Sequence, residues 1–262
     1  MKPIIFSIGN FNVYSWGFMM ALAVIISVWG CGRLFEKEGY QREWAMDLIV
    51  LMALAGLAGS YLLYFVTYDW GLFWSSPSQY WAMHRGGVRG LVWYGGFIAA
   101  FIPLTIYIKR KNLSFWKLGD IFAPYLALSY ALVRIGCFLA GCCYGKATAS
   151  FLGVVFPYVD SCSRYPTQLM SSAANLLIFA FLLWSYHRRR FSGQIMSLYL
   201  MLYPIYRFII EYFREPEAMV GSLTQAQFIS IIIFLVGALL YAWLSRRQRK
   251  QQEWAENEPA DN

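Results

Sequence analysis

Seven apolar runs, each roughly 20 residues long and set apart by short charged segments, limit what this chain can fold into more than any other feature. They occupy 14–35, 46–68, 92–108, 118–140, 167–187, 193–213 and 225–244. A helix needs roughly 20 apolar residues to cross the hydrocarbon core of a bilayer, and backbone in lipid must satisfy its hydrogen bonds internally. The pattern predicts an all-α, polytopic integral membrane protein with about seven transmembrane helices. Only 14% of the residues are charged and 59% are hydrophobic, whereas soluble domains carry about 25% charged residues.

The formal net charge of +8 raises the question of nucleic acid. The basic residues, however, sit between the apolar runs. Odd-numbered runs are followed by Arg33, Lys37 and Arg42; Lys109, Arg110, Lys111 and Lys117; Arg188, Arg189 and Arg190; and Arg246, Arg247, Arg249 and Lys250. Even-numbered runs are followed by fewer: His84, Arg85 and Arg89; Lys146 and Arg164; and Arg214. The positive-inside rule then puts the N-terminus outside and the C-terminus in the cytoplasm. Topology accounts for the charge, and no nucleic-acid partner is expected. Residues 1–35 lack the strongly basic start and small-residue cleavage site of a secretory signal. Residues 1–248 read as one integral membrane domain and 249–262 as a polar, disordered tail.

Two segments differ from plain spans. Residues 70–91, with Trp70, Phe73, Trp74, Tyr80 and Trp81, suit an interfacial arm at the outer headgroup level. Residues 148–166, punctuated by Gly153, Pro157 and Pro166, read as an extended loop with a short strand at 153–156.

Packing alone does not call for Arg134 at the end of the fourth run, followed by Cys137, Cys142 and Cys143. An arginine at bilayer depth is costly and is ordinarily paired or bound to something anionic. In a membrane that anion is a phospholipid headgroup. A second constellation lies in the sixth run, where Arg207 and Glu211 stand four apart and so share a helix face. A helix-end ion pair explains those two equally well; with Arg134 they make a net cationic pocket suited to phosphate.

Five cysteines, Cys31, Cys137, Cys142, Cys143 and Cys162, leave several readings open. Cys142 or Cys143 can pair with Cys162 as a disulfide, or act as a reactive thiolate beside arginines, Cys142 being the catalytic candidate. Cys31 and Cys137 read as small packing residues. A metal site built from Cys137, Cys142, Cys143 and Cys162 lacks a recognised spacing, and neither a metal nor a cofactor is expected. Glycines such as Gly56, Gly59, Gly95 and Gly96 suit close helix approach, while Gly95 and Gly96 equally suit the approach of a lipid.

In order along the chain stand Ile5 to Gly9, Ser15 to Gly17, Trp93 to Gly96, Gly119 to Pro124, Arg134 to Gly136 with Gly141 and Gly145, Arg164 to Leu169, and Tyr206 to Pro216. In this set the chain resembles the bacterial prolipoprotein diacylglyceryl transferases. The resemblance implies a seven-helix enzyme of the bacterial inner membrane. Such an enzyme moves the diacylglyceryl group of phosphatidylglycerol onto the lipobox cysteine in a prolipoprotein signal peptide, releasing glycerol phosphate. It implies that Arg134 holds the headgroup, that Arg207 and Glu211 lie at the seat of reaction, and that Tyr203 matches a family tyrosine. Asp120 matches a family aspartate near the start of its own helix, where a cap is the expected role. With Trp16, Gly95, Gly96 and Gln168, Arg134 and Tyr203 complete the expected substrate-binding set; Gln168 and Arg164 are placed at the opening.

Several positions depart from the family pattern. Tyr94 stands where a histidine is usual, Cys137 for an asparagine, Cys142 for an acidic residue, Ser60 for an arginine and Trp16 for a tyrosine. Tyr94 and Glu211 are the candidates for proton handling. The altered residues leave two other readings standing: transfer of a lipid-derived group to a non-protein acceptor, and a non-catalytic phospholipid-binding membrane protein.

Overall fold

Each of the seven apolar runs lies on a long helix. The computed structural model describes residues 1–9, 11–84, 90, 92–215 and 218–257. Arg85, Arg89 and Pro216, named above, lie outside the described residues, as do 258–262 of the expected tail. The long helices are α1 (Ser15–Lys37), α2 (Arg42–Tyr64), α5 (Trp93–Lys111), α6 (Phe115–Ala140), α7 (Thr167–Tyr186), α8 (Gln194–Ile210) and α9 (Gln225–Asn257). Short α3 (Trp70–Ser75) and α4 (Pro77–His84) follow a π-helical stretch at Phe65–Asp69. They fall within the aromatic segment read as an interfacial arm.

Five helical stretches are long and apolar enough to cross a membrane: Ser15–Lys37, Arg42–Ser75, Phe115–Ala140, Thr167–Tyr186 and Gln225–Glu253. Their outward faces are apolar. Leu62, Leu177 and Leu239 are 62%, 73% and 70% exposed, a pattern that suits contact with lipid rather than water.

Strands are few. β1 (Ile4–Ile8) pairs with β2 (Phe11–Tyr14), β3 (Val154–Val155) with β4 (Ser163–Arg164), and β5 (Met219–Val220) with β6 (Leu223–Thr224), all antiparallel. The strand expected at 153–156 is β3. The other two hairpins add to an all-α expectation that treated their sequences as helix flanks. A further difference concerns the tail, for α9 continues through Asn257 where disorder was expected beyond 249. Gln, Arg, Lys, Glu and Ala, all strong helix formers, make up most of that stretch.

Two compact units divide the chain. The first comprises Met1–Cys31 with Trp116–Asn262, the second Gly32–Phe115. In the second, α2 and α5 meet through glycines. A Cβ on Gly59 would overlap Ala99 and the Gly95 carbonyl, one on Gly95 the Gly59 carbonyl, and one on Gly96 the Ser60 hydroxyl. Backbones approach this closely only where side chains are absent. Gly95 and Gly96 therefore pack this helix pair.

In the first unit, α1 lies against α6. A Cβ on Gly30 would overlap the Tyr125 ring, Gly136 faces the Trp16 backbone, and the Ser27 and Ser129 hydroxyls are 2.8 Å apart. Gly237 of α9 likewise lies against Leu200 of α8.

The buried carboxylate of Asp120 ties α6 to α8. It is fully buried and accepts hydrogen bonds from the backbone N–H groups of Gly193 (2.7 Å), Ile195 (2.8 Å) and Met196 (3.0 Å). Those are orphan donors of the first turn of α8. Asp120 thus caps α8 and not its own helix, correcting the expected assignment. The geometry is chemically the same as an N-cap, a carboxylate at the positive end of a helix, but it is supplied from 73 residues earlier in the chain.

Candidate active site

The thiol turn follows from the way α6 ends. Gly141, at φ +77°, donates its N–H to the Phe138 carbonyl at 3.1 Å, and Cys142 donates to Cys137 at 3.1 Å. This pair of bonds is a Schellman motif, which brings together the side chains at its C3 and C″ positions. Here those positions are Cys137 and Cys142. Cys143 follows with φ +62°, a left-handed backbone that a non-glycine residue pays for, and the reversal returns its sulfur to 3.7 Å from that of Cys142.

The turn is pinned from α7. Gln168 Nε2 donates to the Cys142 carbonyl at 2.6 Å, and Thr167 Oγ1 to the Cys143 carbonyl at 2.9 Å. Gly145 and Lys146 then donate their N–H groups to Tyr165 (2.9 Å) and Phe213 (2.8 Å). Gln168 is fully buried, and its amide anchors this turn. Arg164, expected with Gln168 at the opening, forms ion pairs with Asp160 (2.6 Å) and Glu215 (3.3 Å). The Arg164 pair holds the Asp160 carboxyl below its ordinary range.

Hydrogen bonds from the Cys137 and Cys142 thiols lower the Cys143 thiol well below its ordinary value; burial opposes this, while Arg134 and Arg214 add to it. Cys142 moves the other way, because the hydrogen bond with Cys143 and burial together outweigh the lowering bond with Cys137. The two neighbouring thiols are thus shifted in opposite directions by the same cluster. All five cysteines are free, so Cys162 is not joined to either. The turn opens on a cavity of about 410 Å³ lined by Gly141, Cys142, Cys143, Tyr144, Val159, Arg214 and Glu215.

Arg134 lies on the last turns of α6, and its guanidinium donates to the Tyr130 hydroxyl at 2.6 Å. That hydroxyl also accepts from Tyr206 of α8 at 3.2 Å. The Tyr130 ring meets Tyr203 edge-on, with centroids 5.6 Å apart. Arg134 is thereby coupled, through one tyrosine, to the face of α8 that leads into Arg207. Tyr130 did not stand out in sequence; a tyrosine four residues before a buried arginine was the available signal.

Arg207 and Glu211 pair as their spacing predicted. Glu211 closes α8 and starts a short 3₁₀ turn, and it is 6% exposed. Removing one partner of so buried an ion pair would leave the other charge uncompensated, so Arg207 and Glu211 hold each other in place. An apolar cleft of about 270 Å³ runs between α8 and α9, lined by Pro204, Ile205, Phe208 and Ile209 and by Ser230, Ile231, Phe234 and Leu235.

The remaining candidates fall as follows. Trp16 begins α1 beside Gly136 and is 38% exposed. Tyr94 belongs to the second unit, in the first turn of α5, and is 58% exposed. Tyr203 shares the α8 face with Tyr199 and Tyr206. Among the described residues Cys137, Cys142 and Cys143 form a thiol cluster with their sulfurs all within 4.8 Å of one another, without Cys162.

Comparison with known proteins identifies the family. The chain is 35% identical to phosphatidylglycerol–prolipoprotein diacylglyceryl transferase 2 of Clostridium perfringens, with 96% of this chain and 98% of that protein covered. It is 33% identical to the phosphatidylglycerol–prolipoprotein diacylglyceryl transferase of Clostridium tetani, covering 92% and 97% of the two. With the enzyme of that name from Finegoldia magna it shares 32% identity over 97% and 100%. The family profile described as prolipoprotein diacylglyceryl transferase matches residues 3–243, from the first hairpin to the body of α9, and the chain belongs to that family.

Proposed function

We propose that this protein transfers the diacylglyceryl group of phosphatidylglycerol to the lipobox cysteine thiol of a prolipoprotein, releasing glycerol phosphate. The observation that carries the reading is the polar seat on α6 and α8: Arg134 held by Tyr130, Tyr130 tied to Tyr203 and Tyr206, and Arg207 paired with buried Glu211. Family membership and the names of the relatives support the reaction.

Thioether formation displaces a phosphate ester at a saturated carbon. The enzyme must stabilise charge growing on the departing phosphate and raise the thiolate fraction of the acceptor. Arg134 binds the headgroup phosphate, and Arg207 meets the charge that develops as the C–O bond breaks. Glu211 handles the acceptor proton. Tyr203 and Trp16 line the lipid, and the apolar cleft of α8 and α9 suits an acyl chain. The protein sits in the bacterial inner membrane as seven spans, N-terminus outside, with 1–248 as the transferase domain and 249–262 cytoplasmic.

The test is purified protein in detergent with phosphatidylglycerol and a lipobox peptide, read by mass spectrometry. A gain of one diacylglyceryl unit on the peptide cysteine is expected, absent in Arg207→Ala. Arg134→Ala should lose lipid binding, while Arg207→Ala should keep it. Normal transfer in both variants would refute the assignment, and intact bound lipid without an adduct would point to a binding role.

A further inference from the structure

The cysteine cluster stands outside the steps just described. We propose that Cys137, Cys142 and Cys143 form a binding site for a thiophilic d¹⁰ cation of the Zn²⁺ class, with a fourth coordination position open to the adjoining cavity.

Geometry carries the proposal. The three sulfurs lie within 4.8 Å of one another, and Cys142 and Cys143 are 3.7 Å apart. Tetrahedral Zn–S bonds of about 2.3 Å place sulfurs about 3.8 Å apart. The cluster therefore already stands near the required spacing, and its widest pair has to close by about 1 Å.

The cluster is also built rather than incidental. Cys137 and Cys142 occupy the two Schellman positions that must meet, and Cys143 adopts a left-handed backbone that brings it back to them. Gln168 and Thr167 hold the carbonyls of Cys142 and Cys143, so the ligands are oriented by a second set of hydrogen bonds, as in established metal sites. Cys137 is 6% exposed while its two partners are accessible, which leaves one side open to the cavity formed partly by Cys142, Cys143 and Arg214.

A disulfide is the competing use of such thiols. Successive Cα atoms are about 3.8 Å apart, short of the usual 4.4–6.8 Å disulfide range, which disfavours a Cys142–Cys143 bond. Three thiolates around a divalent cation carry a net single negative charge, and Arg134 and Arg214 act electrostatically on this cluster with the complementary sign. The open position suits a further thiolate, since a thiol coordinated to such a cation is deprotonated.

The site rests on these residues alone, and its test does not depend on lipid transfer. Protein purified under reductant and stripped with a chelator is titrated with Zn²⁺ alone, and with Co²⁺, whose thiolate charge-transfer absorption reports sulfur ligation. About one cation per chain is expected, with binding about 100-fold weaker in Cys142→Ser and Cys143→Ser and unchanged in Cys162→Ser. Cys142→His should retain cobalt binding with an altered spectrum, which guards against simple misfolding. Addition of a small thiol should perturb the cobalt absorption, and an unperturbed spectrum would exclude the open position. Absence of the thiolate absorption, or full binding in both serine variants, would overturn the site. A freshly purified chain two hydrogens lighter, with Cys137 bonded to Cys142, would do the same.

Discussion

The two ends of α8 each hold a buried carboxylate, and they differ in how completely it is satisfied. At the start, Asp120 is wholly buried and takes three backbone N–H bonds, with the Arg189 guanidinium 4.0 Å away. At the far end, Glu211 is nearly as buried but is paired with the guanidinium of Arg207. A fully bonded anion has nothing left to offer a substrate, so Asp120 is architecture. Glu211, placed by the proposed function at the seat of reaction, has the Arg207 guanidinium as its side-chain partner among the described residues. Burial of charge alone does not mark a reacting group; unspent bonding capacity does.

That contrast can be broken most sharply by Arg207→Ala. Transfer should fall by about 10²- to 10³-fold, the usual cost of removing a group that meets transition-state charge, while helical circular dichroism is unchanged. Glu211→Gln should lower turnover to a similar degree. A variant at either position with near-normal turnover would make this end of α8 structural as well.

Next in size is Asp120→Asn. Its amide offers one acceptor and turns a donor towards backbone donors, so unfolding in detergent should become easier by about 3 kcal/mol. Activity per folded molecule should stay close to the parent. If turnover collapses while the melting temperature holds, the two ends have exchanged roles.

Tyr130→Phe sharpens the comparison between the ends. It removes the hydroxyl that receives Arg134 and Tyr206, which should raise the lipid KM by about tenfold, one hydrogen bond to a charged group being worth about 1.5 kcal/mol or more. An effect on kcat alone would place Tyr130 in the reaction and not in lipid binding.

The smallest effect is expected in the loop before α7. Arg164 depresses the Asp160 carboxyl, so the folded loop binds a proton less readily than the unfolded chain. Its contribution is fully present above the unfolded value and is lost as pH falls through the lower folded value. Acid should therefore loosen 148–166 only below the ordinary carboxylate range, as followed by proteolysis of the loop, and Asp160→Asn should remove that dependence.

The long helices were legible because lipid demands unbroken apolar runs, and the Arg207–Glu211 pair because helical spacing alone joins residues four apart. What escaped was built across the chain. Asp120 looked like a cap for its own helix because the donors it serves, at Gly193, Ile195 and Met196, are visible only once α6 and α8 are packed. The thiol cluster escaped for a related reason: no ligand spacing announces it, and it arises from a Schellman turn plus one left-handed residue. The anchoring bond of Gln168 was equally hidden, since the carbonyl it holds lies 26 residues away. Tyr94 remains a residue whose chemistry the family pattern suggested more strongly than its own type does.

The cap across α6 and α8 also bears on how the protein is made. Chains emerge N-terminus first, so α6 is synthesised and partitions towards lipid well before Gly193 leaves the ribosome. During that interval Asp120 is a carboxylate without its native donors, and nothing downstream yet exists to shield it. Arrival of α8 removes the liability in one step, since the helix start and its counter-group meet together. A nascent chain halted between the two helices would therefore hold a carboxylate that only the sixth long helix can satisfy.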